Sequence, residues 1–442
     1  MAFFSFLSSL LGTVVTPLML FFSSAVSFIS TGFLKKISPR RFFGTLSDLP
    51  DGQKTSPLRA LSVALAGTLG VGNITGVSSA LIMGGPGAVF WMWAGALIVL
   101  PVKYAETYLA VKYRRCGKGG FYGGAMYYIR DGLSSRFPRF SVFLGGFFAV
   151  LCCLNSLVTG NIVQSNAAAC VFSEDMRLTC GIVLGALVLF AIIFGAERIN
   201  RITSVVIPPL CAVYIIIGLY IIISNITIIP SVFADIFSSA FSYRAIGGGA
   251  LGFTVAQAMR YGVMRGIFSN EAGCGTSPTA HASADTKSPH HQACYGVVEV
   301  VFDTHVLCTL TALVLLIADR RTGCLPWSEN IDVSPVTLGA FTSLTGNAVY
   351  YILVGAIFLF AYSTVIAQIY YGTVAVGFFS SKKTPRVIYS VLSVGSCVLG
   401  SVITAPVMWT LADTLIGIMT AVNCAVIIML RRRLSRHDAP LR

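Results

Sequence analysis

Charged side chains are scarce in this chain. They make up only 11% of its 442 residues, and histidine occurs five times. Because soluble domains carry about 25% charged residues, this composition excludes an ordinary soluble protein. The hydrophobic fraction of 55% and the mean hydropathy of +0.79 support the same conclusion. The sequence also lacks the HExxH, GxSxG, Walker A and zinc-finger patterns, which mark common hydrolases, nucleotide-binding proteins and zinc domains.

Cysteine is present, but its arrangement argues against most cysteine chemistry. The twelve cysteines include no CxxC pair, and most of them lie within apolar segments. We therefore expect small buried residues rather than a disulfide framework or a metal site. His290, His291 and Cys294 match metal-ligand spacing only loosely, so we expect no metal there.

Long apolar runs dominate the sequence and predict membrane-spanning helices. One span needs about 20 apolar residues, and these runs are longer than the alternating strands of a membrane barrel. The first run lacks a basic n-region and precedes KKISPRR, which indicates an anchor helix rather than a cleaved signal peptide. We predict an all-α integral membrane protein with about eleven helices, at 8–33, 58–83, 86–112, 140–168, 178–195, 203–224, 246–268, 294–317, 347–376, 387–404 and 407–430.

Positive charge is concentrated in alternate connections, and this distribution predicts an orientation. The loops after odd-numbered helices, together with the C-terminal tail, hold 23 Lys and Arg residues, whereas the opposite loops hold four. Cytoplasmic loops carry the excess of Lys and Arg. We therefore expect a multi-pass protein of a bacterial-type plasma membrane, with the N-terminus outside and the C-terminus in the cytoplasm. The same asymmetry explains the net charge of +14, because the excess Lys and Arg residues set the orientation and face anionic lipid. We therefore expect no nucleic-acid partner.

The second predicted helix contains a glycine-rich interruption, Ala66–Gly87, in which seven of 22 residues are glycine. Glycine costs a helix interior about 1 kcal/mol relative to alanine, so we expect a break within Gly67–Gly76. Broken backbone at membrane depth is tolerated only where it is buried in protein or lines a cavity. Asn73, Thr68 and Thr75 could then offer oxygens to a cation, and the following helix N-terminus suits a carboxylate. Close helix packing by Gly and Thr is the alternative interpretation.

A second interrupted stretch, Gly262–Ser277, lies in the seventh predicted helix. Phe268 is expected to cover an aliphatic group, while the freed amides of 269–271 are available to a carboxylate. Arg265 and Glu271 are costly at membrane depth unless they are paired. We expect these two charges to pair at the cytoplasmic boundary and to hold the broken helix.

The odd helix count indicates an internal repeat. If helix 8–33 is peripheral, a first repeat covers 58–224 and a second runs from 246 to 404 or 430, within one polytopic domain, 1–442. The two repeats begin on opposite sides of the membrane, and each opens with an interrupted segment. An inverted 5+5 repeat with two broken helices is the plan of many secondary transporters, and the breaks mark their binding sites.

Polar side chains on other predicted helices each have two interpretations. On the ninth helix, the hydroxyls of Ser363 and Thr364 either ligate a small hard cation or bond to their own preceding turn. The fourth helix carries a polar stripe that either touches a ligand or bonds to neighbouring helices, comprising Asn155, Gly160, Asn161, Gln164 and Asn166.

Charged residues within the predicted helices are functional candidates by default. Glu299 and Asp303 lie one turn apart and could relay protons, although we expect at least one of them to bond the backbone or Arg265. Lys103 and Glu106 also lie one turn apart and are expected to neutralise each other within their helix.

Several separate motifs together resemble the alanine or glycine:cation symporter family. They lie between about Ala60 and Tyr371 and read GTLGVGNITGVSSALIMGGPGAVFWMW, KYAETYLAVKYR, GGAMYYI, RGIFSNEAGCGTSPTAHASA and FAYSTVIAQIYYG. The family has a leucine-transporter-type fold and takes up alanine or glycine with sodium. The resemblance therefore implies sodium-coupled symport of a small neutral amino acid into the cytoplasm by alternating access. We also expect no enzymatic activity, no cofactor apart from Na⁺ as the coupling ion, and no obligatory protein partner.

The resemblance also implies site residues. Sodium would be held by Ala66, Leu69, Asn73, Ser363 and Thr364. The substrate would be bound by Gly72, Asn73, Thr75, Gly76, Gln164, Phe268, Ser269, Asn270 and Thr364.

The chain departs from the family motifs at three places. Residues Cys274–Pro278 stand for the usual GLGSAP, and Ala125 stands for a proline in GGPMYYI. Gln368–Thr373 replaces WSYYGE and lacks its tryptophan and its glutamate. These departures concern substrate preference and coupling more than the fold.

Three other functions stay open on the sequence. A proton-coupled amino-acid permease would use Glu299 or Asp303 as its proton carrier. A membrane-embedded enzyme would need an acid/base or metal constellation, and no convincing one is seen. A sensor or channel would bind its ligand without accumulating it against a gradient.

Overall fold

The structure is a computed structural model that describes residues 2–38, 42, 44, 56–117, 120–194, 196–241, 254–286, 288–327 and 332–434. For residues 2, 194 and 196–207 it describes the backbone alone. The predicted helix start at 246–253 lies outside the described residues. So do some of the cationic residues behind the predicted orientation, namely Arg40, Arg41, Lys54, Lys118, Arg244, Lys287, Arg436 and Arg442.

Helices form nearly all of the described chain. A short antiparallel hairpin, β1 (Arg115–Gly117) and β2 (Gly120–Tyr122), is the other regular element of that part. Apart from two single-turn helices, Phe33–Lys36 and Arg431–Leu434, the helices of the described chain are α1 (Phe3–Thr31), α2 (Pro57–Thr68), α3 (Thr75–Gly84), α4 (Gly87–Lys112), α5 (Ala125–Leu133), α6 (Pro138–Ala169), α7 (Glu174–Phe194), α8 (Ala196–Ser224), α9 (Ile229–Phe241), α10 (Val255–Asn270), α11 (Pro278–His281), α12 (Pro289–Thr322), α13 (Val333–Thr345), α14 (Asn347–Phe379), α15 (Lys383–Gly400) and α16 (Ala405–Met429).

Local sequence signals determine several helix ends. Thr254 and Gln257 form a reciprocal capping box at the start of α10, which satisfies backbone amides that the first turn leaves open. Ser56 caps α2 through the backbone amide of Arg59 at 3.3 Å. At the other end, Gly323 terminates α12 in the left-handed conformation, with φ of 61°.

Seven helices in the described residues are long and apolar enough to cross a membrane, or nine if each of two bent pairs is one span. The helices of the described chain follow the predicted order, which confirms an all-α multi-pass membrane protein. The count of eleven spans and the inverted 5+5 arrangement stay predictions. The structure adds four shorter helices that lie outside the predicted spans, α5, α9, α11 and α13.

Helix α1 lies at the periphery of the bundle, where it packs on α4 and α16. Only 28% of its apolar window is buried, and Phe21 and Ile29 expose 57% and 79% of their surface. In contrast, α10 lies along α4 and against α3, and α14 packs on α6 and α2. These six helices enclose the residues that the sequence singled out.

Candidate functional site between the broken helices

The first break lies within the predicted glycine-rich stretch. Helix α2 ends at Thr68, a short 3₁₀ turn covers Val71–Asn73, and α3 then starts at an angle of 57° to α2. The glycine at the break allows close approach, because a Cβ atom at Gly70 would overlap the hydroxyl of Thr364 and the amide oxygen of Gln164. Helices α6 and α14 therefore reach the opened backbone directly.

Two hydrogen bonds at the first break each involve at least one predicted site residue. The hydroxyl of Thr364 donates to the backbone carbonyl of Ala66 at 2.9 Å, and the backbone amide of Val71 donates to Gln164 Oε1 at 3.1 Å. The neighbouring Ser363 instead donates to Phe360 O, 2.9 Å away in its own helix. Of the two hydroxyls proposed as ion ligands, only that of Thr364 thus meets the broken helix.

A second group of oxygens surrounds Asn73. Its amide donates to the carboxylate of Asp303 at 2.6 Å, and Ser269 donates to the same oxygen at 3.0 Å. Thr304 donates to the other carboxylate oxygen at 3.0 Å. The side-chain oxygen Oδ1 of Asn73 is buried and has no hydrogen-bond partner among the described residues. Asp303 on α12 therefore joins the two broken helices through neutral partners.

The remaining predicted residues of the first break differ in their contacts. Gly72 lies against Phe268, since a Cβ atom there would be 3.2 Å from the ring, whereas at Gly76 it would be 3.7 Å away. Thr75 donates its hydroxyl to Val71 O at 2.9 Å, which is a bond within its own turn. Leu69 is buried.

The second break follows α10. Glu271 ends the helix with φ of 53°, and it is the only non-glycine residue with positive φ in the described chain. This conformation is costly for a residue with a side chain and is concentrated at functional sites. The Glu271 carboxylate accepts hydrogen bonds from Thr276 Oγ1 at 2.8 Å and from the side-chain amide of Gln368. Glu271 thus connects the broken helix to α14.

A small cavity lies between the two breaks. The volume open to the centre of a water molecule is about 20 Å³, which is room for about one ordered water. Its walls therefore enclose a space suited to a small polar group. The lining comes from both breaks and from α6, α14 and α16, and comprises Gly67, Thr68, Gly72, Asn155, Thr159, Gln164, Ile267, Phe268, Glu271, Cys274, Thr276, Gln368 and Ile416.

An aromatic and ionic layer covers this cavity on one side. The ring of Phe268 packs edge-on against Trp409 at 5.1 Å, and the guanidinium of Arg265 lies 3.9 Å from the Trp409 ring centre. Arg265 also forms a two-pronged ion pair with Asp413, at 2.5 and 3.1 Å. The expected pairing of Arg265 with Glu271 is therefore wrong, because Arg265 points toward α16 and Glu271 toward α14.

Beyond this layer lies an open vestibule of about 400 Å³. It is lined by the first turns of α1, α10, α13 and α16 and by the last turn of α3. The charge distribution of the loops predicts that these helix ends lie on the outer side of the membrane. Arg265, Trp409 and Asp413 line its floor, and Phe268 lines the cavity beneath. The layer therefore separates the cavity from the vestibule.

A buried ionic network holds the second break from the opposite side. The Lys103 ammonium lies 3.1 Å from Glu299 Oε1, and it donates to the Asn270 carbonyl at 3.0 Å and to the Ser277 hydroxyl. His281 Nε2 contacts the second Glu299 oxygen at 2.7 Å. The Lys103 charge thus meets the C-terminal end of α10, where the helix dipole favours a cation.

Two further expectations about charges are corrected by this network. Glu106 interacts with the Lys103 charge through space but forms no direct ion pair with it among the described residues, since its carboxylate accepts from the backbone amide of Gly273 at 3.2 Å and from Asn423 at 2.8 Å. Glu299 is paired with Lys103 rather than with Arg265. Spacing along one helix identified none of these partners, because each lies on another helix or in the unwound stretch after α10.

The structure also shows site residues that the sequence left ambiguous or did not assign. Asn155 and Gln368 line the cavity together with Glu271. Asn270, predicted to bind substrate, donates its side-chain amide to Thr304 at 3.0 Å and accepts from the backbone amide of Ala272 at 2.9 Å. A polar side chain on an apolar helix was the only signal for Asn155 and Gln368.

Comparison with known sequences identifies the family. The model of the sodium:alanine symporter family matches residues 2–437. The sodium/alanine symporter AgcS of Methanococcus maripaludis is 38% identical over 380 residues, which cover 85% of this chain and 82% of that protein. The amino-acid carrier protein AlsT of Bacillus subtilis is 33% identical over 421 residues, or 94% and 86%. The probable sodium/glutamine symporter GlnT of Bacillus subtilis is 33% identical over 428 residues, or 96% and 86%.

Comparison with solved structures identifies the fold. The structure of MhsT in complex with L-phenylalanine has a TM-score of 0.58 at 13% identity and covers 87% of this chain and 97% of that chain. A Na⁺-coupled sialic acid symporter in a substrate-bound outward-open state has a TM-score of 0.57 at 12% identity, covering 94% and 86%. The fold is of the leucine-transporter type. The chain therefore belongs to the sodium:alanine symporter family, and it is a multi-pass membrane transporter rather than an enzyme.

Proposed function

We propose that this symporter carries a small neutral amino acid, alanine or glycine, into the cytoplasm together with Na⁺ by alternating access. The observation that carries the proposal is the meeting of two helix breaks around one small polar cavity. Main-chain groups released by a break can bind both ends of a zwitterion, and transporters of this plan bind substrate at such breaks. The cavity has room for about one water in this arrangement, so its walls must separate to admit an amino acid.

We assign the substrate carboxylate to the first break. The Val71 amide lies in the short turn before α3, where the helix N-terminus carries partial positive charge. Gln164 Oε1 accepts from this amide at 3.1 Å, and the carboxylate would take its place as acceptor. The amino group would lie toward Glu271, whose carboxylate lines the same cavity.

We assign the coupling ion to the oxygen atoms beside the breaks. Ala66 O and Thr364 Oγ1 already lie 2.9 Å apart, and Na⁺ would replace the hydrogen bond between them. Ser363 and Leu69 are weaker candidates, since the Ser363 hydroxyl bonds within its own helix. Asn73 Oδ1 beside the Asp303 carboxylate offers further oxygen ligands, the type that hard cations prefer.

Proton coupling is the second candidate, and one observation favours it. The hydrogen-bond partners of the buried Asp303 carboxylate are neutral: Asn73, Ser269 and Thr304. A proton could therefore neutralise Asp303 as well as Na⁺ could. Glu299 is a poorer carrier, because Lys103 and His281 already hold both of its oxygens.

The driving force would come from the membrane potential and the Na⁺ gradient. Each charge moving inward at 100 mV supplies about 2.3 kcal/mol. This direction assumes the orientation predicted from the loops, with the vestibule outside and the basic tail in the cytoplasm of a bacterial-type plasma membrane.

Uptake by reconstituted liposomes tests the proposal. Labelled alanine or glycine should accumulate under an inward Na⁺ gradient and not when choline replaces Na⁺. Accumulation driven equally by a pH gradient in choline would favour proton coupling through Asp303. Binding without accumulation would contradict symport.

A further inference from the structure

Two side-chain carbonyl oxygens in the cavity wall are left without partners. Asn155 Oδ1 on α6 and Gln368 Oε1 on α14 are buried and have no hydrogen-bond partner among the described residues. Each residue exposes only 3% of its surface, and both line the cavity between the breaks. Buried polar atoms in native proteins are nearly always met by protein, water or ligand. These two oxygens therefore indicate a missing hydrogen-bond donor.

The other polar groups of this wall are satisfied, which sets the two oxygens apart. Thr159 donates its hydroxyl to Asn155 O at 2.8 Å, and Gln164 Oε1 accepts from Val71 N at 3.1 Å. The side-chain nitrogen of Gln368 donates to Glu271. The hydrogen-bond acceptors of the wall that lack a donor are thus the side-chain oxygens of Asn155 and Gln368.

The Gln368 amide has one sensible orientation. Its partner, Glu271, accepts hydrogen bonds when ionised and already accepts one from Thr276, so the nitrogen of Gln368 must face Glu271 and the oxygen must be the free atom. Asn155 is not constrained in this way, and rotation of its amide would present a donor instead. A hydroxyl group both donates and accepts, so it would satisfy Gln368 and either orientation of Asn155.

We infer that Asn155 and Gln368 are specificity-determining residues that select a substrate with a short hydroxyl-bearing side chain, so that serine binds better than alanine. This inference rests on the proposed function, because it places the substrate in the same cavity. Gln368 follows Thr364 by one helical turn on α14, so this assignment places the side chain of the substrate one turn away from the proposed ion ligand.

The selection has a clear physical basis. A site that hydrogen-bonds a substrate hydroxyl rejects the analogue lacking it, because its own buried polar groups then stay unpaired. Alanine would present a methyl group to two unpaired oxygens. We expect a preference of roughly tenfold for serine, the effect of one such hydrogen bond.

Competition in liposomes tests the inference on the unaltered protein. Unlabelled serine, alanine and glycine compete with labelled alanine under an inward Na⁺ gradient. Serine should halve uptake at a concentration roughly tenfold below that of alanine. Alanine competing as well as serine would overturn the inference, since water alone would then satisfy the two oxygens.

Single substitutions test whether Asn155 and Gln368 determine the preference for serine over alanine. Gln368→Met and Asn155→Leu keep approximate size and remove the free oxygen, so each should reduce the serine-to-alanine ratio several-fold. Ser165→Ala removes a hydroxyl on the same helix as Asn155 that bonds Cys397 O and does not line the cavity, so it should leave that ratio unchanged. An unchanged ratio in both amide variants would overturn the assignment.

Thermal stabilisation of the detergent-solubilised protein separates this inference from the proposed function. A ligand that binds only the folded state raises its melting temperature whether or not transport occurs. Stronger stabilisation by serine than by alanine, without Na⁺-driven uptake, would support the selection and contradict symport. Stabilisation by none of the three amino acids would overturn both.

Discussion

The hydroxyl of Thr364 on α14 donates to the carbonyl of Ala66 on α2 at 2.9 Å, across the break in the first interrupted helix. Both atoms are oxygens, and both belong to buried residues. We therefore predict that Thr364→Val raises the Na⁺ concentration needed for half-maximal uptake by roughly tenfold, the effect of losing one interaction with a charged group.

Ser363→Ala is the matched control for this prediction. The Ser363 hydroxyl bonds Phe360 O within α14, so its removal should change sodium dependence by much less. Sodium titration of alanine uptake measures both variants. Equal sodium dependence in Thr364→Val and the unaltered protein would remove Thr364 from the ion site.

Asp303 provides the test of which ion is coupled. Asp303→Asn keeps the hydrogen-bonding shape beside Asn73 and Ser269 but removes the charge. If Asp303 helps to bind Na⁺, the variant should need a higher Na⁺ concentration, while a pH gradient alone should drive no uptake in either protein. Loss of a pH-driven component that the unaltered protein possesses would instead favour proton coupling.

Gly70 should not tolerate a side chain. A Cβ atom there would overlap the Thr364 hydroxyl and lie 2.8 Å from Gln164 Oε1, so we expect Gly70→Ala to cost about 1–3 kcal/mol, as overpacking does. Gly76 is the control, because its Cβ atom would be 3.7 Å from Phe268. In thermal unfolding, Gly70→Ala should melt earlier than Gly76→Ala, and the reverse order would contradict this account of the break.

The ion pair of Lys103 and Glu299 should be strongly coupled, since neither side chain is exposed. Lys103→Met leaves a buried carboxylate without its cation, which costs about 3–5 kcal/mol. Adding Glu299→Gln removes the stranded charge and should recover part of the loss. Thermal unfolding of the two single variants and the double variant measures the coupling, and strictly additive losses would contradict it.

The layer above the cavity should open when its ion pair is removed. Asp413→Asn breaks the pairing of Arg265, which lies over Trp409 and Phe268. Hydroxyl-radical footprinting should then oxidise Phe268 more strongly than in the unaltered protein. Asp235→Asn, which breaks an exposed ion pair with Arg320, should leave Phe268 labelling unchanged, because such surface pairs contribute little.

The sequence predicted the order of the helices and the first break for a local reason. Apolar runs and glycine clusters act within one segment, so Gly70 and its neighbours were visible without knowledge of any partner. The αL conformation of Glu271 was not predicted, although the second interruption was placed around it. Low helix propensity indicates the segment in which a helix is interrupted. The residue at which the helix ends also depends on the contacts of that residue with other helices.

The partners of the buried charges could not be predicted, because they lie on other helices. Spacing paired Lys103 with Glu106 and Arg265 with Glu271, whereas the structure pairs Lys103 with Glu299 on α12. Arg265 likewise meets Asp413 on α16. The position of a charged residue within a membrane-spanning helix shows that it needs a partner. Which residue becomes that partner depends on how the helices pack together.

The Lys103 ammonium has a mechanical consequence. One side chain of α4 binds the final carbonyl of α10, the Ser277 hydroxyl beyond the break and the Glu299 carboxylate of α12. Separating Lys103 from Glu299 would leave two buried charges unpaired, and separating it from the other two groups would break hydrogen bonds to a buried cation. We therefore expect α4, α12 and the unwound end of α10 to travel as one rigid body during the transport cycle, and any movement of α14 relative to this body would have to break the hydrogen bond between Gln368 and Glu271.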